Sequence, residues 1–297
     1  MNRRSRSCFL LLLCSLTLAL SLTSLVSGAD DNRPIVNDAK FGADVRAVDK
    51  LPTLFLVGDS TVNTNGKMRG WGQEIGGFFD PAKIHIVNRA IGGRSSRTYR
   101  TEGKWARVLD ELRPGDVVLI QFGHNDVGRY DDPKAKGRPS LHGEGNDTAD
   151  LKKPDGSTET VHAFGWYMRQ YCTEAKAKGA TVILCSMVPH KDWTPDSKIS
   201  RRERDTFVMW TENAARATGA QFIDLNEIVA ERYEKLGKEK VETFFADQRT
   251  HTTPEGAKFT AEAVIAGLKS LQPDPLSGDF SAAGGSVRPA QLATEAQ

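Results

Sequence analysis

Neither sign of charge dominates this chain. It carries 40 Lys and Arg against 38 Asp and Glu, which argues against a nucleic-acid or anionic-membrane partner. Cysteine is scarce, at four in 297 residues. His85, His124, His142, His162 and His190 show no metal-ligand spacing, so no metal and no cofactor are expected. No internal repeat is visible. An apolar run from Cys8 to about Leu22 falls short of the roughly 20 residues that a membrane span needs.

What surrounds that run gives it a meaning. Arg3, Arg4 and Arg6 precede it, and Ser27, Gly28 and Ala29 follow. This is the order of a secretory signal peptide, so residues 1–29 are expected to be removed and the protein to be secreted or periplasmic, without stable membrane association. Loss of the leader's three arginines leaves 37 basic residues against 38 acidic, so the slight basicity belongs to the leader. Two cysteines remain, Cys172 and Cys185. Export makes a bridge between them chemically possible, but it requires Cα atoms within about 7 Å. Two buried thiols are the simpler expectation.

Beyond residue 50, strand and helix signals alternate. Short β-branched apolar runs at 54–57, 84–87, 116–122, 181–188 and 221–225 read as buried strands. Helical periodicity appears at 102–112, 160–178, 201–218 and 255–270, with Pro254 at a tolerated first-turn position. This alternation predicts an α/β three-layer sandwich around a roughly five-stranded parallel sheet. Ligands then bind beyond the carboxyl ends of the strands. Residues 128–160, rich in Gly, Asp, Lys and Pro, read as a long loop insertion bordering that edge. Residues 272–297, rich in Pro, Gly, Ala and Ser, read as a flexible tail. The domain between leader and tail spans 30–271.

Four segments carry possible chemistry. Gly58-Asp59-Ser60-Thr61 follows the first strand, where a strand-to-helix turn exposes a hydroxyl. By itself it is more often a turn or cap, and it is not the Gly-x-Ser-x-Gly elbow of α/β-hydrolases. Gly92-Gly93 follows the second strand and permits close backbone approach. Gly123-His124-Asn125-Asp126 follows the third, and its Asn side chain is a potential donor to developing negative charge. Asp247 and His251 precede the last helix, in the manner of an oriented general base.

Together these segments resemble the SGNH, or GDSL, hydrolases, and within them the rhamnogalacturonan acetylesterase-like branch. Gly70-Trp71-Gly72, Asn88-Arg89-Ala90-Ile91-Gly92-Gly93-Arg94-Ser95-Ser96 and Thr250-His251-Thr252-Thr253-Pro254-Glu255-Gly256-Ala257 extend the likeness over about residues 52–271. The resemblance implies a flavodoxin-like fold and a serine carbohydrate esterase that removes acetyl groups from plant cell-wall polysaccharide, rhamnogalacturonan or pectin. It implies Ser60 as nucleophile, His251 as base and Asp247 as the acid. The oxyanion hole would be the Ser60 and Gly93 backbone N–H groups and the Asn125 side chain. The family's acid usually stands three residues before the histidine, whereas here it stands four before. Either a bulge absorbs the extra residue or another group orients His251. Asp59 is expected to shape the turn. Arg94, with Arg69, Arg97, Arg100 and Lys67, offers charge for a galacturonate carboxylate, and Trp71, Trp166 and Trp193 offer faces for sugar stacking. A monomer is expected. Rival readings are a GDSL-type lipase or esterase of another substrate and a non-catalytic glycan-binding protein on the same fold. Asn146-Asp147-Thr148 fits a glycosylation sequon.

Overall fold

The computed structural model describes residues 50–201 and 204–291. The expected leader, residues 1–29, lies outside the described residues.

Five of the apolar runs form one parallel sheet. Its strands are β1 (Thr53–Gly58), β2 (His85–Asn88), β3 (Val117–Gln121), β6 (Thr181–Cys185) and β7 (Gln221–Ile223), in the order β2-β1-β3-β6-β7. Every pairing is parallel, with Leu56 opposite Asn88 on one side and Leu119 on the other. Because strand side chains alternate, the sheet has two apolar faces. Leu54, Leu56, Leu119, Ile183 and Cys185 pack in one layer, with residues of α5 (Leu225–Leu236) and α7 (Pro254–Leu268). Phe55, Val57, Val118, Ile120 and Leu184 pack in the other. Their partners come from α1 (Ser96–Thr101), α2 (Lys104–Glu111), α3 (Phe164–Ala177) and α4 (Met209–Thr218). The expected three-layer sandwich is the observed one.

The two cysteines fall on opposite faces of the sheet. Cys172 belongs to one apolar cluster and Cys185 to the other, and both are free thiols. Burial pushes the Cys172 thiol up to about 11 and Cys185 higher still, so both stay protonated at neutral pH.

Three expectations change. Residues 128–160 are not a featureless loop. They hold a 3-10 turn, Pro133–Ala135, and most of an antiparallel hairpin of β4 (Thr148–Lys152) and β5 (Thr158–His162). The strand β5 takes the residues assigned to the start of a helix, and α3 begins only at Phe164. The second correction concerns the tail, which is packed as far as residue 291. Leu276 and Val287 are buried in the α5–α7 layer, α8 (Ala282–Ser286) is capped by Ser281, and the Ala290 N–H donates to Ala266 at 2.9 Å. Two apolar anchors outweigh a composition that otherwise reads as linker. Third, α5 and α6 (Lys238–Glu242) join β7 to the segment bearing Asp247 and His251, where no helix is expected from the sequence.

Candidate active site

The order β2-β1-β3 places the ends of the first three strands side by side. Chain direction across the sheet reverses there, and such a point is where open α/β sheets bind ligands. Ser60 leaves β1, Gly93 follows β2 and Asn125 follows β3.

No helix starts at Ser60. The chain makes one tight turn instead, with Val62 and Asn63 N–H groups donating to the Asp59 carbonyl at 3.2 and 3.0 Å. Asp59 Oδ1 accepts from the Thr61 N–H at 2.9 Å and from the Thr61 hydroxyl at 2.8 Å, the turn-shaping role expected of it. Burial pushes Asp59 up from 3.8 to about 6, against the Thr61 hydrogen bonds and the nearby His251 charge, which lower it. Thr61 Oγ1 also accepts from Gln121 Nε2 at 2.5 Å, and Gln121 Oε1 accepts from Trp71 Nε1 at 3.0 Å. Trp71 is therefore not a sugar platform. It is 1% exposed, and its indole N–H anchors a hydrogen-bonded chain beneath the Ser60 turn. Gly70 beside it is required by contact: a Cβ there would stand 2.4 Å from the Val62 carbonyl oxygen.

His251 Nε2 lies 2.8 Å from Ser60 Oγ, and His251 Nδ1 lies 2.5 Å from Asp247 Oδ2. The four-residue spacing is absorbed locally. Asp247 Oδ1 accepts the backbone N–H groups of Arg249, Thr250 and His251 at 3.0, 2.7 and 3.0 Å. Ala246 N–H closes the loop onto the His251 carbonyl at 2.8 Å. One carboxylate oxygen thus winds the loop, and the other is left to face the imidazole. Burial raises the Asp247 carboxyl, but these hydrogen bonds outweigh it and hold the group below the usual carboxylate value. Directly after the loop, Thr253 caps α7, and Pro254 stands in its first turn as predicted.

Among the described residues, the Ser60 and Gly93 backbone N–H groups have no hydrogen-bond partner. Both are available to an oxyanion. Gly93 sits at φ +78°, a left-handed conformation that most side chains resist. Asn125 Nδ2 donates to the Arg94 carbonyl at 3.1 Å, and Asn125 Oδ1 accepts from Arg138 Nη1 at 3.1 Å. Two groups that support this arrangement were not singled out from the sequence. Asp126 accepts from the Ser96 N–H at 3.1 Å and the Ser96 hydroxyl at 2.5 Å, tying the loop after β3 to the loop after β2. Burial pushes its carboxyl from 3.8 to about 7, against the Ser96 hydrogen bonds. Arg138 comes from the insertion. Asp126 closes a segment that the sequence marks, without a role of its own there, but Arg138 had no sequence signal beyond its lying in a long loop.

The arginines expected to meet a galacturonate are already paired. Arg94 Nε binds Glu102 at 3.0 Å, and its Nη1 binds its own loop at Gly92. Arg69 binds Glu74 at 2.9 Å, and Arg100 binds Glu174 through two 2.7 Å contacts. Arg97 is 1% exposed and binds Glu159 at 2.6 Å. Trp166 is half-buried and stacked on His162 at 3.6 Å. Trp193 packs against the α5–α7 core.

The chain is similar to known proteins in sequence and in fold. The GDSL-like Lipase/Acylhydrolase family matches residues 56–259. A rhamnogalacturonan acetylesterase of Emericella nidulans is 35% identical over 72% of this chain and 83% of its own length. The probable rhamnogalacturonan acetylesterase YesY of Bacillus subtilis is 31% identical over 73% and 93%. The crystal structure of YxiM from Bacillus subtilis superposes with a TM-score of 0.58 at 25% identity, covering 74% of this chain and 56% of that one. A variant of Axe2, an acetyl xylan esterase from Geobacillus stearothermophilus, shares the fold at a TM-score of 0.50 and 19% identity, covering 72% and 93%. The chain belongs to the GDSL-like lipase/acylhydrolase family, in its rhamnogalacturonan acetylesterase-like branch, and is a carboxylic ester hydrolase.

Proposed function

We propose that the chain is a secreted serine esterase that removes O-acetyl groups from plant cell-wall polysaccharide of the rhamnogalacturonan or pectin class. The observation that carries the chemistry is the contact of Ser60 Oγ with His251 Nε2 at 2.8 Å, with Asp247 on the other imidazole nitrogen. The names of the two relatives above 30% identity support the substrate class. The N-terminal pattern of Arg, apolar run and small residues supports export.

In this reading His251 Nε2 takes the Ser60 proton as Oγ attacks the acetyl carbonyl. The carbonyl oxygen becomes an oxyanion facing the Ser60 and Gly93 N–H groups and the Asn125 amide. His251 then gives its proton to the departing sugar oxygen, leaving an acetyl-enzyme. A water molecule, deprotonated by His251, attacks the acetyl-enzyme, and His251 passes that proton to Ser60 Oγ as acetate leaves. Asp247 keeps the Nδ1–H tautomer in place and stabilises the imidazolium. A lipase reading finds little support, because the insertion offers no apolar lid. Among the described residues the exposed large apolar side chains are Val127, Met209 and Leu236.

Acetate release from acetylated rhamnogalacturonan, homogalacturonan and xylan, with Ser60→Ala as control, tests the proposal. Fastest release is expected from rhamnogalacturonan or pectin. A clear preference for xylan, or for long-chain lipid esters, would overturn the substrate class and leave the esterase intact.

A further inference from the structure

Arg138 differs from the other arginines around the cleft. Arg69, Arg94, Arg97 and Arg100 each meet a glutamate. Among the described residues no carboxylate meets Arg138. Its Nη1 donates to the side chain of Asn125 at 3.1 Å and lies 3.9 Å from where a Cβ on Gly93 would stand. It therefore borders two of the three groups assigned to the oxyanion hole.

The insertion is built to hold it there. Asp132 caps the Pro133–Ala135 turn. Lys136 and Gly137 then take left-handed conformations, φ 54° and 66°, which reverse the chain just before Arg138. The Arg138 N–H donates to Ala135 at 3.2 Å. Its carbonyl accepts from the Ser95 hydroxyl at 2.6 Å, and the next carbonyl, Pro139, accepts from buried Arg97 at 2.8 Å. Ser95 belongs to the same loop as Gly93. The backbone that bears Arg138 is thus fastened to the loop that bears an oxyanion donor.

A guanidinium can only donate hydrogen bonds. The Asn125 atom facing it must therefore be the carbonyl oxygen, and the amide nitrogen must lie on the other side. One N–H of that nitrogen goes to the Arg94 carbonyl, leaving the second for a ligand. A flipped amide would set donor against donor at Arg138 and acceptor against acceptor at Arg94. We infer that Arg138 is a positioning residue for the oxyanion hole, holding the Asn125 amide with its second N–H toward the reacting carbonyl. The inference rests on the assignment of Asn125 as an oxyanion donor.

A double-mutant cycle on the full chain, read with p-nitrophenyl acetate, tests it. Asn125→Ala is expected to lower kcat by about 10²–10³. Arg138→Met should lower kcat about tenfold with KM within about twofold, and Arg138→Lys, which keeps a donor, should lose less. The double variant should be no slower than Asn125→Ala alone. Thermal melting is followed for each variant, and Arg138→Gln takes the place of Arg138→Met if the latter melts early. A slow Asn125→Ala beside an Arg138→Met at the wild-type rate would overturn the inference and leave the oxyanion assignment standing. Losses that multiply in the double variant would overturn it too, because Arg138 would then act independently of Asn125. An Asn125→Ala at the wild-type rate would sink both.

Discussion

Two segments reach the active-site edge from outside the sheet, and they are held by different means. The loop bearing Asp247 and His251, residues 246–253 and the catalytic loop of the proposed reading, is wound by short-range contacts. Asp247 collects three backbone N–H groups within four residues of itself. The insertion, residues 128–160, is held by contacts distant in sequence. Arg97 reaches Pro139 and Glu159, 42 and 62 residues away, and Ser95 reaches Arg138, 43 residues away. The first kind of device leaves a compact motif. The second is assembled by the fold and leaves scattered residues. The comparison also separates energies. The local loop depends on backbone hydrogen bonds to a partly exposed carboxylate. The insertion depends on a buried charge, whose loss is costly when its partner is left behind.

The largest effect expected lies where that loop meets Ser60 and touches rate alone. Ser60→Ala should lower kcat by at least about 10⁴, and Asp247→Asn by up to about 10⁴, because an amide disfavours the productive imidazole tautomer. Both should melt within a few degrees of the wild type, since the Asn side-chain oxygen still caps the loop. An Asp247→Asn enzyme with nearly full turnover would remove Asp247 from the triad. Next in size, Arg97→Met should destabilise the fold by about 3 kcal/mol in urea unfolding, by leaving Glu159 with only Lys153 and freeing the Pro139 carbonyl. A loss under about 1 kcal/mol would show that the insertion is held as locally as the catalytic loop.

The last effect depends on pH and concerns the joint between the loops after β2 and β3. The Asp126 carboxyl titrates near 7 in the fold, against an ordinary 3.8. Its raised value favours folding fully below about pH 4, and that contribution is lost as pH rises through about 7. Asp126→Asn cannot ionise. Its stability relative to wild type should therefore climb between pH 4 and 7 and then level off. The climb should be at most about 1.4 kcal/mol per pH unit, and any difference between amide and acid in bonding Ser96 offsets the whole curve by a constant. Urea unfolding across pH 4–8 checks this. A difference that does not vary with pH would mean that Asp126 is already ionised in the fold.

The sequence by itself determined the sheet and the positions of the chemistry. Five β-branched runs between helical periods dictate a parallel sheet, because only strands buried on both faces read as continuous apolar segments. Motif residues at the ends of β1, β2 and β3 and before α7 then had one edge to share. Tertiary structure decided what those side chains do. Trp71 stands in a matching motif yet is buried beneath the turn, because Gln121 satisfies its indole. The arginines suggested a binding surface, but each had a glutamate waiting on another element, the nearest five residues away and others beyond 60. Leu276 and Val287 turned a linker-like tail into core. Spacing also left open whether Asp247 faced His251, since that required three backbone N–H groups to converge on one carboxylate oxygen. Side-chain direction and partner choice are set by long-range packing, and a linear pattern carries almost none of that information.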